Sequence, residues 1–331
     1  MRPITDVRKI SSIGYGFMAS KALFTALDLD IFTRLSGQPQ NLDYLAREAG
    51  VRPNQLLTLM TALVCLGLVA KEGALYANAP ASEAYLARHS PKYYGDYLRL
   101  QIDKQVYPSL LELTASFRGE RKGFYETFLA DPEQADLFSR AQHVGSLGPA
   151  RVLARQIPLD GRGTLLDVGG GSGAFSITLC QRNPKLTSTI LDFPSVGETA
   201  RRYVEEAGLA SRIAFLPGDA LDTEWPGDRD AILMSYVLSA VGERDVTTLI
   251  ERAYGALRPD GLLVVHDFMV DDDRTGPLSA ALWFLPMALR GDAISLTPGD
   301  LSEAIRAAGF EGVAVQDLIP TITKALTARR P

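Results

Sequence analysis

Ten residues constrain the fold of this chain more than any others: Leu165-Leu166-Asp167-Val168-Gly169-Gly170-Gly171-Ser172-Gly173-Ala174. They read as a short apolar strand, an acid, a glycine-rich turn and the first turn of a helix running through Phe175 and Leu179. Glycine admits turn conformations closed to other residues and lets a ligand approach the main chain. The helix amides that follow point at whatever occupies the turn. From Thr164 onward strands and helices alternate. Strands are expected at Thr164–Val168, Thr187–Leu191, Ile213–Leu216, Ala231–Met234 and Leu262–Val265. Helices are expected at Gly173–Gln181, Ser195–Ala207 and Asp245–Leu257. Short apolar strands joined by helices make a parallel sheet covered on both faces, an α/β fold. The tail differs, because Gly312–Asp317 and Ile322–Ala328 are joined by a short link at Pro320 and should pair antiparallel. The sheet therefore ends with one reversed strand.

The first third of the chain is helical. Met18, Ala22, Leu23, Ala26, Leu27, Ile31 and Leu35 recur at helical spacing across Ser11–Leu35, with Ser11 or Ser12 as N-cap. Gln38–Asn41 reads as a loop. Leu42–Ala49 reads as a helix stopped by Gly50. A third helix begins near Pro53, with Leu56, Leu57, Met60, Leu63 and Leu66 as its apolar face. Val69–Lys71, a Glu72-Gly73 turn and Ala74–Tyr76 form a hairpin. That order is a winged helix, which raises DNA binding as a reading. Yet Pro53–Leu66 carries no Lys or Arg, only Arg52 stands at its start, and the chain's net charge is -5. Neutralising phosphates needs a basic face, so the apolar surface is better read as an interface with another subunit or with the second domain.

Residues 80–160 read as mostly helical, interrupted at Pro91, Gly119–Gly123, Pro132 and Pro158. Their aromatics (Tyr93, Tyr94, Tyr97, Tyr107, Phe117, Phe124, Tyr125, Phe128 and Phe138) fit either core filling or the wall of a small-molecule pocket. The resulting division is 1–90, 91–160 and 161–331. With 331 residues and 46% hydrophobic content, the chain has material for such a core. Cys65 and Cys180 read as buried, unpaired thiols of a reducing compartment. The N-terminus lacks the apolar core of a signal peptide and no run suits a membrane span, so the expected location is the cytoplasm.

Gly169–Ala174 also fits the dinucleotide pattern G-x-G-x-x-A, a weak match on its own. Asp167 opposes that reading, since a carboxylate at the turn repels a pyrophosphate and attracts a cation. S-adenosylmethionine carries an α-ammonium and a sulfonium and no phosphate. Asp192, ending the second strand, is placed for ribose hydroxyls, and Gly218-Asp219-Ala220 puts an acid within reach of an adenine amino group. Three acids at the carboxyl ends of successive strands line one crevice.

These motifs carry a resemblance. Together with Leu191-Asp192-Phe193-Pro194 and Ala256-Leu257-Arg258-Pro259-Asp260-Gly261, the chain resembles small-molecule methyltransferases of the caffeic-acid and acetylserotonin O-methyltransferase type. It is also similar to the bacteriochlorophyllide C-methyltransferase branch. The resemblance spans nearly the whole length. It implies a winged-helix dimerisation domain, a helical connector contributing to the substrate pocket, and a Rossmann-like seven-stranded sheet with a reversed last strand. It further implies a homodimer, S-adenosylmethionine as cofactor, no nucleic-acid or membrane partner, and Gly169, Gly171, Gly173, Ala220 and Ser235 beside the three acids as cofactor contacts.

One departure matters. Such enzymes follow the fourth strand with Leu-His-Asp-Trp, the histidine removing the acceptor's proton. Here the matching run is Leu238-Ser239-Ala240-Val241, and a serine hydroxyl is a poor base near neutral pH. Candidate catalytic groups in its place are His143, in a segment expected to reach the pocket, Tyr236, just beyond the fourth strand, and His266, expected to bond Asp267 or to face the crevice. His89 reads as a surface residue. Tyr236, Ser239, Trp283 and Met287 are expected to line an acceptor pocket for an apolar or aromatic molecule. Loss of the His-Asp pair argues against a metal, and Asp271–Arg274 reads as a solvated turn. The expected reaction is methyl transfer to oxygen or carbon; the alternatives are a non-methylating reaction on the same fold and, disfavoured by the missing basic face, ligand-responsive DNA binding.

Overall fold

The computed structural model describes residues 3–119, 131–157, 159–290 and 295–331. They form two compact units, 1–107 and 108–331, so the connector expected over 91–160 is divided between them.

In the first unit, α1 (Val7–Asp28) starts earlier than Ser11. Asp6 is its N-cap, and its carboxylate accepts the Arg8 N–H at 2.9 Å. The long helix expected to Leu35 is broken: Asp30 adopts φ 57°, a left-handed conformation that aspartate tolerates better than most residues. A separate α2 (Ile31–Arg34) follows. α3 (Leu42–Ala49) ends at Gly50 with φ 67°, and α4 (Pro53–Cys65) has its proline in the first turn. Of α4's expected face, Leu56, Met60 and Leu63 are buried, while Leu57 and Leu66 are exposed. Gln40–Asn41, expected as loop, is strand β1. It pairs with β3 (Leu75–Asn78), which also pairs with β2 (Val69–Glu72) around a turn at Gly73-Ala74, one residue later than expected. The buried core joins Leu27, Ile31, Phe32, Leu45, Leu56, Met60 and Leu63. Cys65 is exposed, contrary to expectation, because it lies on α4's outer side; Cys180 is buried. After α5 (Pro80–Leu86), a π-helical stretch Tyr97–Val106 closes the unit.

The second unit begins with short helical turns through Phe117 and continues in α6 (Pro132–Gln156). Pro132 does not interrupt this helix but opens it, where its missing N–H has no partner to lose. Phe124, Tyr125 and Phe128 lie outside the described residues, as do Gly123 and Pro158. The sheet contains β4 (Thr164–Val168), β5 (Thr187–Asp192), β6 (Ile213–Pro217), β7 (Arg229–Ser235), β8 (Leu257–Phe268), β9 (Glu311–Ile319) and β10 (Thr323–Arg329). Its order is β6-β5-β4-β7-β8-β10-β9, with β10 antiparallel to both neighbours: seven strands and one reversed, as the sequence predicts. α7 (Ala174–Arg182), α8 (Gly197–Glu206) and α9 (Glu243–Ala256) follow β4, β5 and β7. The chain then adds α10 (Leu278–Met287) after β8 and α11 (Pro298–Ala307) before β9. Strand order reverses between β4 and β7, and in open sheets the crevice at that point, beyond the strands' carboxyl ends, binds ligands. Among the described residues no helix is long and apolar enough to cross a membrane.

Candidate active site

A cavity of about 750 Å³ occupies that crevice. Asp167, Asp192 and Asp219 all border it, each at the carboxyl end of its strand or just beyond. Gly169 takes φ 64° and lies against Val237, which also borders the cavity; a Cβ there would stand 2.5 Å from a Val237 methyl. Gly170 is hemmed in as well, because a Cβ would come within 2.6 Å of the Asp167 carboxyl carbon. The turn therefore sits directly on that carboxylate. Gly171 donates its N–H to Asp192 Oδ2 at 2.7 Å, and Phe193 N–H donates to Oδ1 at 2.7 Å. The Asp219 carboxylate accepts the Leu221 N–H at 2.8 Å.

Asp167 is the electrostatic centre. Ser176 Oγ donates to its Oδ2 at 2.6 Å, while Oδ1 is buried without a hydrogen-bond partner. Burial pushes this carboxyl up to about 7, and the nearby Asp192 charge adds to the effect. Burial also pushes Asp192 up to about 6, against the pull of its two backbone donors. Buried carboxylates so poorly compensated are stabilised by a cationic ligand. Among the described residues that line the cavity, none is Lys or Arg.

Beyond the acids the wall turns aromatic. Tyr236 borders the cavity at the end of β7 in a left-handed conformation, φ 60°, its N–H held by the His266 carbonyl at 2.8 Å. Trp283 of α10 stacks on Phe268, ring centroids 4.6 Å apart and planes within 22°. Ser235, Ser239 and Ala220 also line the space. Ser239 sits in the turn Leu238–Ala240, its N–H donated to Asp267 Oδ2 at 3.0 Å.

Four expected site residues lie elsewhere. Gly173, with φ 78°, serves as N-cap of α7. Met287 is buried and does not border the cavity, whereas Leu278 and Leu282 at the other side of α10 are exposed. His266 is 0% exposed: Nδ1 meets Ser235 Oγ at 2.8 Å and Nε2 meets Thr323 Oγ1 at 3.0 Å. It does not bond Asp267 as expected, because neighbouring side chains of a strand point to opposite faces. Asp267 turns instead to Ser239, and burial raises its carboxyl to about 6. Burial holds the His266 imidazole down to about 3. His143 faces Ser172, Nδ1 to Oγ 3.0 Å, and stacks on Tyr203 outside the cavity.

The α6 residues that do line the cavity are Phe138, one of the aromatics weighed as a pocket wall, and Ser139, Gln142 and Ser146, which the sequence does not single out. Their three- and four-residue spacing is a single helix face. One residue further, at 143, the helix has turned about 100° away. Asp245 and Leu249 of α9 were missed too, and nothing in their run distinguishes them.

Comparison with known proteins agrees with this site. Residues 115–311 match the O-methyltransferase domain family and residues 12–88 the O-methyltransferase dimerisation domain. The chain is 32% identical over 324 residues to the tetracenomycin polyketide synthesis 8-O-methyl transferase TcmO of Streptomyces glaucescens, covering 95% of each. The chain belongs to the O-methyltransferase family. It is also 26% identical over 312 residues to 3-hydroxy-5-methyl-1-naphthoate 3-O-methyltransferase of Streptomyces sahachiroi, covering 92% of this chain and 89% of that one. The human N-acetylserotonin methyltransferase, solved with its cofactor S-adenosylmethionine, superposes with a TM-score of 0.87 at 25% identity, covering 100% and 99%. This O-methyltransferase is thus an S-adenosylmethionine-dependent enzyme. Its own residues fit the cofactor: the partnerless Asp167 oxygen under the turn is matched to a cation, and the close packing at Gly169 and Gly170 leaves the backbone bare.

Proposed function

We propose that this enzyme methylates a phenolic oxygen of a small aromatic metabolite, working as a homodimer in the cytoplasm. The reading rests above all on one cavity that is acidic at the glycine turn and aromatic at Tyr236 and Trp283. The similar TcmO acts in polyketide synthesis and the naphthoate enzyme on an aromatic acid, by their names, and both transfer to oxygen. Asp167 is assigned to the cofactor's ammonium, Asp192 to its ribose hydroxyls and Asp219, with Ala220, to its adenine. Gly169, Gly171 and Ser235 complete that wall. S-adenosylmethionine, when bound, supplies an electrophilic methyl group on its sulfonium.

The chain's own contribution is placement. Trp283 and Phe268 offer a flat stacked wall for an aromatic ring, and Tyr236 closes the side nearest β8. Holding an acceptor in line with a reactive group supplies much of a transfer rate. Neither His143 nor His266 is assigned as base. Imidazoles held at about 4 and about 3 are poorly matched to a phenol, and both His266 nitrogens are engaged. The acceptor is therefore one that ionises readily, such as a phenol conjugated with an electron-withdrawing group that does not hydrogen-bond its proton. The test is mass analysis of products from a panel of hydroxylated naphthoates and anthraquinones incubated with S-adenosylmethionine. Gain of one methyl group with stoichiometric S-adenosylhomocysteine supports the reading; a product altered in any other way sinks it.

The homodimer reading is supported by α1 as well as by the dimerisation-domain match. Val7, Ile10, Ile13 and Phe17 recur every three or four residues and are 71%, 60%, 70% and 50% exposed. An apolar helical stripe of that length belongs against another surface, and a second copy of the chain is the occupant proposed. Introducing charge with Ile13→Asp and Phe17→Asp should shift the protein from a dimer toward the 35.9 kDa monomer in light scattering. An unchanged mass would remove α1 from the interface.

A further inference from the structure

His143 of α6 lies against both α8 and the glycine turn. Its ring lies flat on Tyr203 of α8, centroids 3.7 Å apart and planes within 8°. The Arg202 guanidinium stands 5.2 Å from the centre of the same tyrosine ring. Two turns before His143 along α6, Asp136 accepts the Thr199 hydroxyl at 2.8 Å and pairs with Arg140 at 2.9 Å, so the two helices are fixed together. With its ring thus clamped, His143 has one direction left for Nδ1, and that atom meets Ser172 Oγ at 3.0 Å. Ser172 is 4% exposed, borders the cavity, and lies between Gly171 and Gly173, both in left-handed conformations. Such glycines leave a turn free to adopt other shapes in the absence of side-chain restraints.

We propose that His143 is a positioning residue: clamped on Tyr203, it holds the Ser172 hydroxyl and so keeps the glycine turn in the shape that receives the cofactor. This rests on the assignment of that turn to S-adenosylmethionine. The role needs a neutral ring of fixed tautomer, and burial with the Arg202 charge holds the imidazole down to about 4, so it stays neutral under ordinary conditions. The histidine on this helix thus acts on the donor side of the reaction, through Ser172, and makes no contact with the acceptor's space.

The test is a double-mutant cycle read by calorimetric titration with S-adenosylhomocysteine. His143→Ala and Ser172→Ala should each weaken binding roughly tenfold, the worth of a well-placed buried hydrogen bond. The double variant should be no weaker than either single one, since partners in one bond are non-additive. His143→Asn, which keeps a polar atom near the Nδ1 position, should recover part of the loss. Unfolding midpoints without ligand are measured in parallel. Ser172→Ala removes one oxygen only, so it remains informative if His143→Ala fails to fold. Wild-type affinity in Ser172→Ala, or losses that multiply in the double variant, would overturn the proposal. A wild-type enzyme that does not bind S-adenosylhomocysteine would overturn the cofactor assignment of the turn instead, a distinct result.

Discussion

Asp167→Asn should bind S-adenosylmethionine on the order of a hundredfold more weakly while making the ligand-free protein more stable near neutral pH. Both effects come from one atom, the buried Asp167 Oδ1 that no protein group satisfies. The native group is a carboxyl pushed up to about 7, well above its unfolded value. Its charged form is therefore disfavoured on folding. Ligand-free stability falls as pH rises from about 4 toward 7, and the full penalty is present above that. Asparagine keeps the shape and removes the charge, and with it the penalty. A cationic ligand needs that charge, so affinity of the native enzyme should strengthen as pH rises through about 7, and the variant should lose this rise. Thermal unfolding with and without S-adenosylhomocysteine, across that pH range, checks both halves. A variant that is less stable without ligand, or that binds as tightly as wild type, would show the carboxylate to be structural.

Ser239→His should raise kcat/KM for weakly acidic phenols roughly a hundredfold, the usual worth of a positioned base. Ser239 borders the cavity beside Tyr236 and Val237, and its backbone is anchored to the Asp267 carboxylate. An imidazole at 239 would sit near that buried acid, whose charge favours a protonated ring once a proton is taken. Phenols already ionised at the assay pH should gain little. Plotting log kcat/KM against acceptor pKa should therefore give a steep line for the native enzyme and a shallow one for the variant. Equal gains for strong and weak phenols, in a variant that still binds S-adenosylhomocysteine, would mean that acceptor ionisation does not limit the native reaction.

Where a residue's role followed from the backbone, the sequence was a good guide. Glycines at 169, 171 and 173 and acids at strand ends announce a β4–α7 crevice, because only particular residue types fit those positions. Expected strand limits at Thr164–Val168 match the structure, and the others fall short mainly at their polar ends, such as Arg229 and Asp230 of β7. The break at Asp30 was hidden, since a continuous apolar period masks a single left-handed residue. Side-chain roles were harder to read. His143 and Gln142 are adjacent letters, yet a hundred degrees of helix rotation gives the cavity to glutamine and the clamp to histidine. His266 and Asp267 were read as a pair, and the pleat of β8 sends them to different partners. Met287 is a different case: four residues beyond Trp283, it shares that side of α10, so rotation does not explain its burial away from the cavity. Chemical reactivity attracts attention in a sequence, and rotation about an element decides whether it is delivered to the site.

Tyr236 bears on how such a pocket changes over generations. Its backbone is left-handed, a conformation that costs most side chains about 1–2 kcal/mol, and β-branched residues suffer worst. Random substitution at 236 is thus filtered first by the backbone and only then by the acceptor. Trp283 stands in an ordinary helix, where leucine, methionine or alanine would be accommodated. Diversification of acceptor range in this lineage should run through α10, with the β7 corner left as a fixed post around which new substrates are fitted.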